Sequence, residues 1–169
     1  MTASNTGSAS DLPNLNLVRK ADAEQHVQTF SHPWNPRSEI SGATLGRMTG
    51  LKRIGVSIAR LRPGKESFVY HSHEFEEEWL YILSGKATAL IDGQEYAVGA
   101  GDFMGFPTPS VAHHLVNTGS EDLLYLMGGE NREVEVSDFP RLNKRMLRVR
   151  NDIQVYDLGA ARPLGPLES

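Results

Sequence analysis

The densest chemistry in this 169-residue chain lies in the run HSHEFEEEW, where His71 and His73 stand two positions apart and Glu78 follows five positions after His73. On an extended strand, residues i and i+2 project to the same face, so the two imidazoles converge. A loop leading into the next strand can bring the Glu78 carboxylate to them. In SVAHHLVN, His113 shares its parity with Leu115 and Asn117, while His114 takes the other parity, so only one of the adjacent pair can point inward.

Three neutral imidazoles and one carboxylate make a donor set of intermediate hardness. Such a set suits one divalent ion (Fe, Mn, Ni, Co or Zn) and leaves coordination positions free for water or substrate. Taken singly, each signal has a plainer reading. An isolated H-x-H is usually a surface or packing pair, and Glu76-Glu77-Glu78 alone reads as a solvated face. Taken together, four ligand-type residues at inward positions of one small β fold favour a metal, because unpaired buried charges are costly.

Short apolar or alternating runs separated by turn residues fill the chain after Gly50, the pattern of an antiparallel sandwich or barrel. Strands are expected near 53–62, 67–73, 77–84, 86–91, 94–98, 103–107, 112–117, 122–128, 145–149 and 153–157. Asp92-Gly93 between ATALI and QEYAV predicts a two-residue type I′ hairpin. The segment DFPRL predicts a short turn or helix at 138–142. Residues 1–14 are small and polar and read as a flexible tail; 15–50, with a short helix in VRKADAEQHVQTF and breaks at Pro33 and Pro36, reads as an arm. Its Trp34 and Ile40 would pack on the barrel or on a partner subunit. The barrel is expected over 51–160 and a C-terminal tail over 161–169.

Composition narrows the function. Net charge is −4 and the sequence pI is near 5.9, with no Lys/Arg stripe, which argues against nucleic acid as a partner. The absence of cysteine removes disulfides, thiolate ligands and thiol nucleophiles. No signal-peptide pattern opens the chain and no long apolar stretch follows, so a cytoplasmic protein without membrane association is expected.

GKESFVYHSHEFEEEWLYILSG and GDFMGFPTPSVAHHLVN resemble the paired motifs of the cupin superfamily. Gly64, His71, His73, Glu78 and Gly85 occupy the first motif; Gly101, Pro107, His113 and Asn117 occupy the second. The intervals from Gly64 to His71 and from Pro107 to His113 are each one residue longer than the usual pattern, and Pro109 replaces a motif glycine. Counting back from Asn117 selects His113 over His114.

The resemblance covers about residues 50–130. It implies an all-β antiparallel double-stranded β-helix, or jelly-roll barrel, with the metal inside, often in a homodimer. It leaves the reaction open, and the leading expectation is a metal-dependent enzyme on a small polar or anionic molecule, with dioxygenase, isomerase or decarboxylase chemistry. Two other readings compete: a non-catalytic metal-containing module that binds a small molecule or sugar, and a metal-free barrel of the epimerase type. Around the metal, Phe68, Tyr70 and Phe106 are candidates for the pocket mouth. Arg60 is a candidate anion clamp and Glu76 a candidate acid/base carboxylate.

Overall fold

The structure, a computed structural model, describes residues 16–162 and residue 165. The tail expected over 1–14 lies outside the described residues, as does most of that expected over 161–169. Among the described residues thirteen strands dominate: β1 (Gln28–Phe30), β2 (Ile40–Ala43), β3 (Ile54–Leu61), β4 (Ser72–His73), β5 (Glu78–Ser84), β6 (Lys86–Ile91), β7 (Gln94–Gly99), β8 (Phe103–Phe106), β9 (His113–Val116), β10 (Leu123–Glu130), β11 (Val134–Phe139), β12 (Lys144–Val149) and β13 (Asp152–Asp157). Two short helices, α1 (Lys20–Gln25) and α2 (Leu45–Met48), belong to the N-terminal segment.

All ladders between named strands are antiparallel. They form a six-stranded sheet ordered β1-β2-β3-β10-β5-β8, a four-stranded sheet ordered β13-β12-β11-β4, and a three-stranded sheet ordered β7-β6-β9. The arrangement is a jelly roll whose ladders do not run continuously around it. Isolated bridges, Glu66 to Val116 and His71 to His113, stitch residues between the sheets.

Inward residues of the first and third sheets, including Ile40, Leu61, Ile82, Leu115, Leu123 and Tyr125, form one apolar core. Sheet faces with alternating apolar residues must bury them against each other, and this core is that contact. The N-terminal segment joins the same sheet: β2 pairs with β3 and sends Ile40 into the core, while Trp34 packs edge-on against Phe139 at 5.2 Å.

Asp92 and Gly93 both carry positive φ (49° and 77°), as a type I′ turn requires. The motif glycines Gly64, Gly85 and Gly101 have φ of 75°, 87° and 95°, a region that disfavours any side chain.

The expected strand at 67–73 is not one ladder. Ser67 donates to Leu115 and His71 exchanges hydrogen bonds with His113, but Ser72 and His73 pair with Asp138 and Ser137 of β11. The segment changes neighbours between His71 and Ser72. Strands β1, β2 and β11 were not expected, and DFPRL divides into the end of β11 and a 3-10 turn at Pro140–Leu142.

Candidate metal centre

The change of neighbours builds the site. His71 lies beside His113 at the start of β9, His73 ends β4 beneath β11, and Glu78 opens β5 opposite Gly129 of β10 and Phe106 of β8. One ligand atom from each of His71, His73, Glu78 and His113 lies within 4.8 Å of the others, so the cluster is able to hold a metal ion. Glu78 Oε2 is 3.0 Å from His113 Nε2, 3.1 Å from His73 Nε2 and 3.7 Å from His71 Nε2. Two ligand atoms that share an ion about 2.1 Å away stand roughly 3.0–3.5 Å apart, a spacing that the His113 and His73 contacts meet and the His71 contact, at 3.7 Å, slightly exceeds.

The other ring nitrogens fix the tautomers. His71 Nδ1 donates to the Val69 carbonyl at 2.7 Å, and His113 Nδ1 donates to the Val111 carbonyl at 3.1 Å. A carbonyl only accepts, so in each neutral ring the lone pair sits on Nε2 and faces the Glu78 carboxylate. Lone pairs aimed at an anion repel it unless a cation lies between them. Phe106 stacks on the His113 ring at 3.7 Å with an interplanar angle of 9° and holds it in this orientation.

Where a shared proton rather than a metal ion fills the centre, burial works to raise the Glu78 carboxyl, but the hydrogen bonds that His113, His71 and His73 then offer outweigh it and hold the group well below its usual range. Burial pushes His71 down. It acts on His73 in the same direction, yet the Glu78 and Glu135 carboxylates on either side raise that imidazole overall.

A cavity of about 230 Å³ opens above the cluster, with Gly55, Ser57, Phe68, Met127 and Gly129 in its wall and Glu76, Glu77 and Glu130 at its rim. Small residues on β3 and β10 leave this room.

The remaining sequence-derived candidates are scattered. Phe68 lines the cavity, and Phe106 lines a smaller one beneath the cluster. Glu76 reaches the rim, but its carboxylate pairs with Arg148 and accepts from the Arg132 amide at 2.5 Å. Tyr70 accepts from the Gly93 amide at 2.9 Å beneath the Arg141 guanidinium, away from the cluster. Arg60 is half-exposed and pairs with Asp122 at 3.5 Å. His114 is buried with its Nε2 3.0 Å from Glu66, which also pairs with Arg37 and Asn35 and so ties the N-terminal segment to β9.

Two buried residues escaped the sequence reading. Glu135 on β11 lies 3.3 Å from His73 Nδ1. Tyr125 on β10 is fully buried, and its hydroxyl has no hydrogen-bond partner among the described residues; burial and the Glu78 carboxylate push it up.

Comparison with known proteins agrees with the fold and the motifs. The Cupin_2 family model, a cupin domain, matches residues 57–129. A solved structure from Acidithiobacillus ferrooxidans, to which sugar phosphate isomerase activity has been ascribed, superposes with a TM-score of 0.84. It is 33% identical, over 89% of this chain and 97% of that one. A sugar phosphate isomerase of the cupin superfamily from Silicibacter pomeroyi superposes at 0.72 over 83% of this chain and 90% of that one; at 22% identity the likeness is one of fold. An Arthroderma benhamiae protein, described as an oxalate decarboxylase by ascription, is 40% identical over 81 residues, 44% of this chain. The chain spans about a fifth (20%) of that curated relative's length. The chain belongs to the cupin superfamily.

Proposed function

We propose that this cupin is a metal-dependent enzyme acting on a small polar or anionic molecule, with His71, His73, Glu78 and His113 holding one divalent ion per chain. The observation that carries the reading is the pair of imidazoles whose Nδ1–H groups are committed to backbone carbonyls while their Nε2 lone pairs face one carboxylate. That arrangement calls for a cation at the centre.

A metal held there would supply Lewis acidity toward a carbonyl, carboxylate or enediol oxygen. The chain's own residues do the rest. Phe68 and Met127 give the substrate an apolar wall, Gly55, Ser57 and Gly129 leave it space, and Phe106 keeps His113 from turning away. The activities ascribed to the relatives, sugar phosphate isomerisation and oxalate decarboxylation, concern small oxygen-rich molecules, which supports that substrate class.

The test is turnover. Product formation and oxygen uptake are followed across small sugars, sugar phosphates, keto acids, diketones and oxalate, with metal-stripped and reconstituted protein side by side. The proposal expects turnover of one class, lost on stripping and restored on reloading. A ligand bound tightly by the loaded protein but never converted would make it a binding module instead.

A further inference from the structure

The three histidines of the cluster differ in what their outer nitrogens meet. His71 and His113 give Nδ1–H to backbone carbonyls, whereas His73 Nδ1 faces the carboxylate Oε1 of Glu135 at 3.3 Å. Glu135 is only 1% exposed, and its carboxylate is held in place: Oε1 accepts from the Glu74 amide at 3.0 Å and Oε2 from the Phe75 amide at 3.2 Å. Ladder register supports the contact, since Ser137 of β11 stands opposite His73 of β4, and residue 135 lies one inward step along the same strand. Burying a carboxylate so completely is expensive, and two amide donors offset only part of the cost. An imidazole N–H supplies a third donor.

We propose that Glu135 is a positioning residue for the metal centre: it fixes the His73 ring with its proton on Nδ1 and its Nε2 lone pair toward Glu78. A carboxylate behind a histidine orients it and strengthens it as a ligand more than a carbonyl does. The inference rests on the ligand set proposed above. Ser137 Oγ, 3.5 Å from the same Nδ1, is the longer contact and a neutral acceptor, so it is the weaker partner.

Zinc affinity is measured by competition with a chromophoric chelator for wild type, Glu135→Gln, His73→Ala and the double variant. Glu135→Gln is expected to weaken zinc binding about 10- to 100-fold in the wild-type background and to have no further effect once His73 is alanine. Ser137→Ala is expected to leave affinity unchanged. An equal loss in both backgrounds would make Glu135 a structural residue, and no loss in wild type would end the proposal.

A second readout needs neither metal nor variant. In nitrogen-15 spectra of metal-free wild type, the His73 Nδ1–H proton should lie downfield of those of His71 and His113, because its acceptor is an anion. If it matches theirs, the pairing is wrong. A protein that shows this signal yet takes up no zinc would refute the ligand set and leave the Glu135–His73 pairing standing.

Discussion

His113 Nε2 and Glu78 Oε2 stand 3.0 Å apart although they open strands in different sheets, β9 and β5. The contact crosses the interior of the roll. It depends on Phe106, which neighbours Glu78 across the β5–β8 ladder and stacks on the His113 ring. Phe106→Ala should therefore act twice: it opens a core cavity costing about 3–5 kcal/mol, and it frees His113 to rotate. Thermal melts and metal titration on the same samples separate the two effects, and loss of stability with unchanged metal affinity would contradict the second.

The carboxylate and imidazole shifts set a pH window for the metal-free protein. His73 is raised above its ordinary 6.5, so its contribution to stability is complete below that value and is lost as pH rises through the raised one. Glu78 is held well below its ordinary 4.5, so its contribution is present above that value and is lost as pH falls through the depressed one. The joint contribution of His73 and Glu78 should thus be largest on the mildly acidic side, opposed there by His71, which burial pushes down, and saturating zinc should move the optimum upward by replacing the His73 proton. Melting temperature against pH, with and without zinc, checks this; superimposable optima would count against it.

Between His71 and His73, the proton released on loading metal should come from His73, because its imidazole is raised while burial pushes His71 down. Calorimetric titration in buffers of different ionisation enthalpy measures the number. A release unchanged in His73→Ala would misassign the titrating group.

Two glycines near the cavity should respond in opposite ways. A Cβ at Gly55 would meet only the Gly129 carbonyl, at 3.8 Å, so Gly55→Val should fold and keep metal while crowding the cavity and weakening substrate binding. A Cβ at Gly128 would fall 2.6 Å from the Trp79 ring and 2.8 Å from the Gly55 carbonyl, so Gly128→Ala should cost roughly 1–3 kcal/mol. Melting curves and ligand titrations distinguish the two outcomes.

Asn117 belongs to the second motif but has a structural part. Fully buried, it donates to the carbonyls of Leu61 at 2.7 Å and Glu121 at 2.8 Å and accepts from the Gly119 amide at 2.9 Å. Asn117→Ala should lose about 1–3 kcal/mol for each group left unpaired while retaining metal, as melts and elemental analysis would report.

Parity and turn chemistry made much of this legible from residues alone. Alternation located the strands from β5 to β10, Asp92-Gly93 located the hairpin, and the H-x-H spacing with Glu78 and His113 identified the side chains that the fold brings together. Glu135 was hidden for a physical reason. In VEVSDF the outward positions include Val134 and Val136 while Glu135 and Ser137 are buried, so over 134–137 the apolar-inward pattern is reversed before Phe139 restores it. A strand whose polar face serves a site reads as a loop. The break in the run at 67–73 was hidden likewise, since alternation persists through a change of partner strand. β2 depends on pairing with β3, and β1 on pairing with β2, which three or four residues do not announce.

The most direct test is metal content. Protein purified without added metal, and again after stripping and dialysis against zinc or manganese, is measured by elemental analysis beside the His73→Ala/His113→Ala double variant. The account predicts close to one bound ion per wild-type chain and none in the double variant, which should stay folded but melt earlier than loaded wild type; a ligand at 100 times its Kd adds about 2.7 kcal/mol. Wild type that takes up no divalent ion, or a double variant that binds as much, would contradict it.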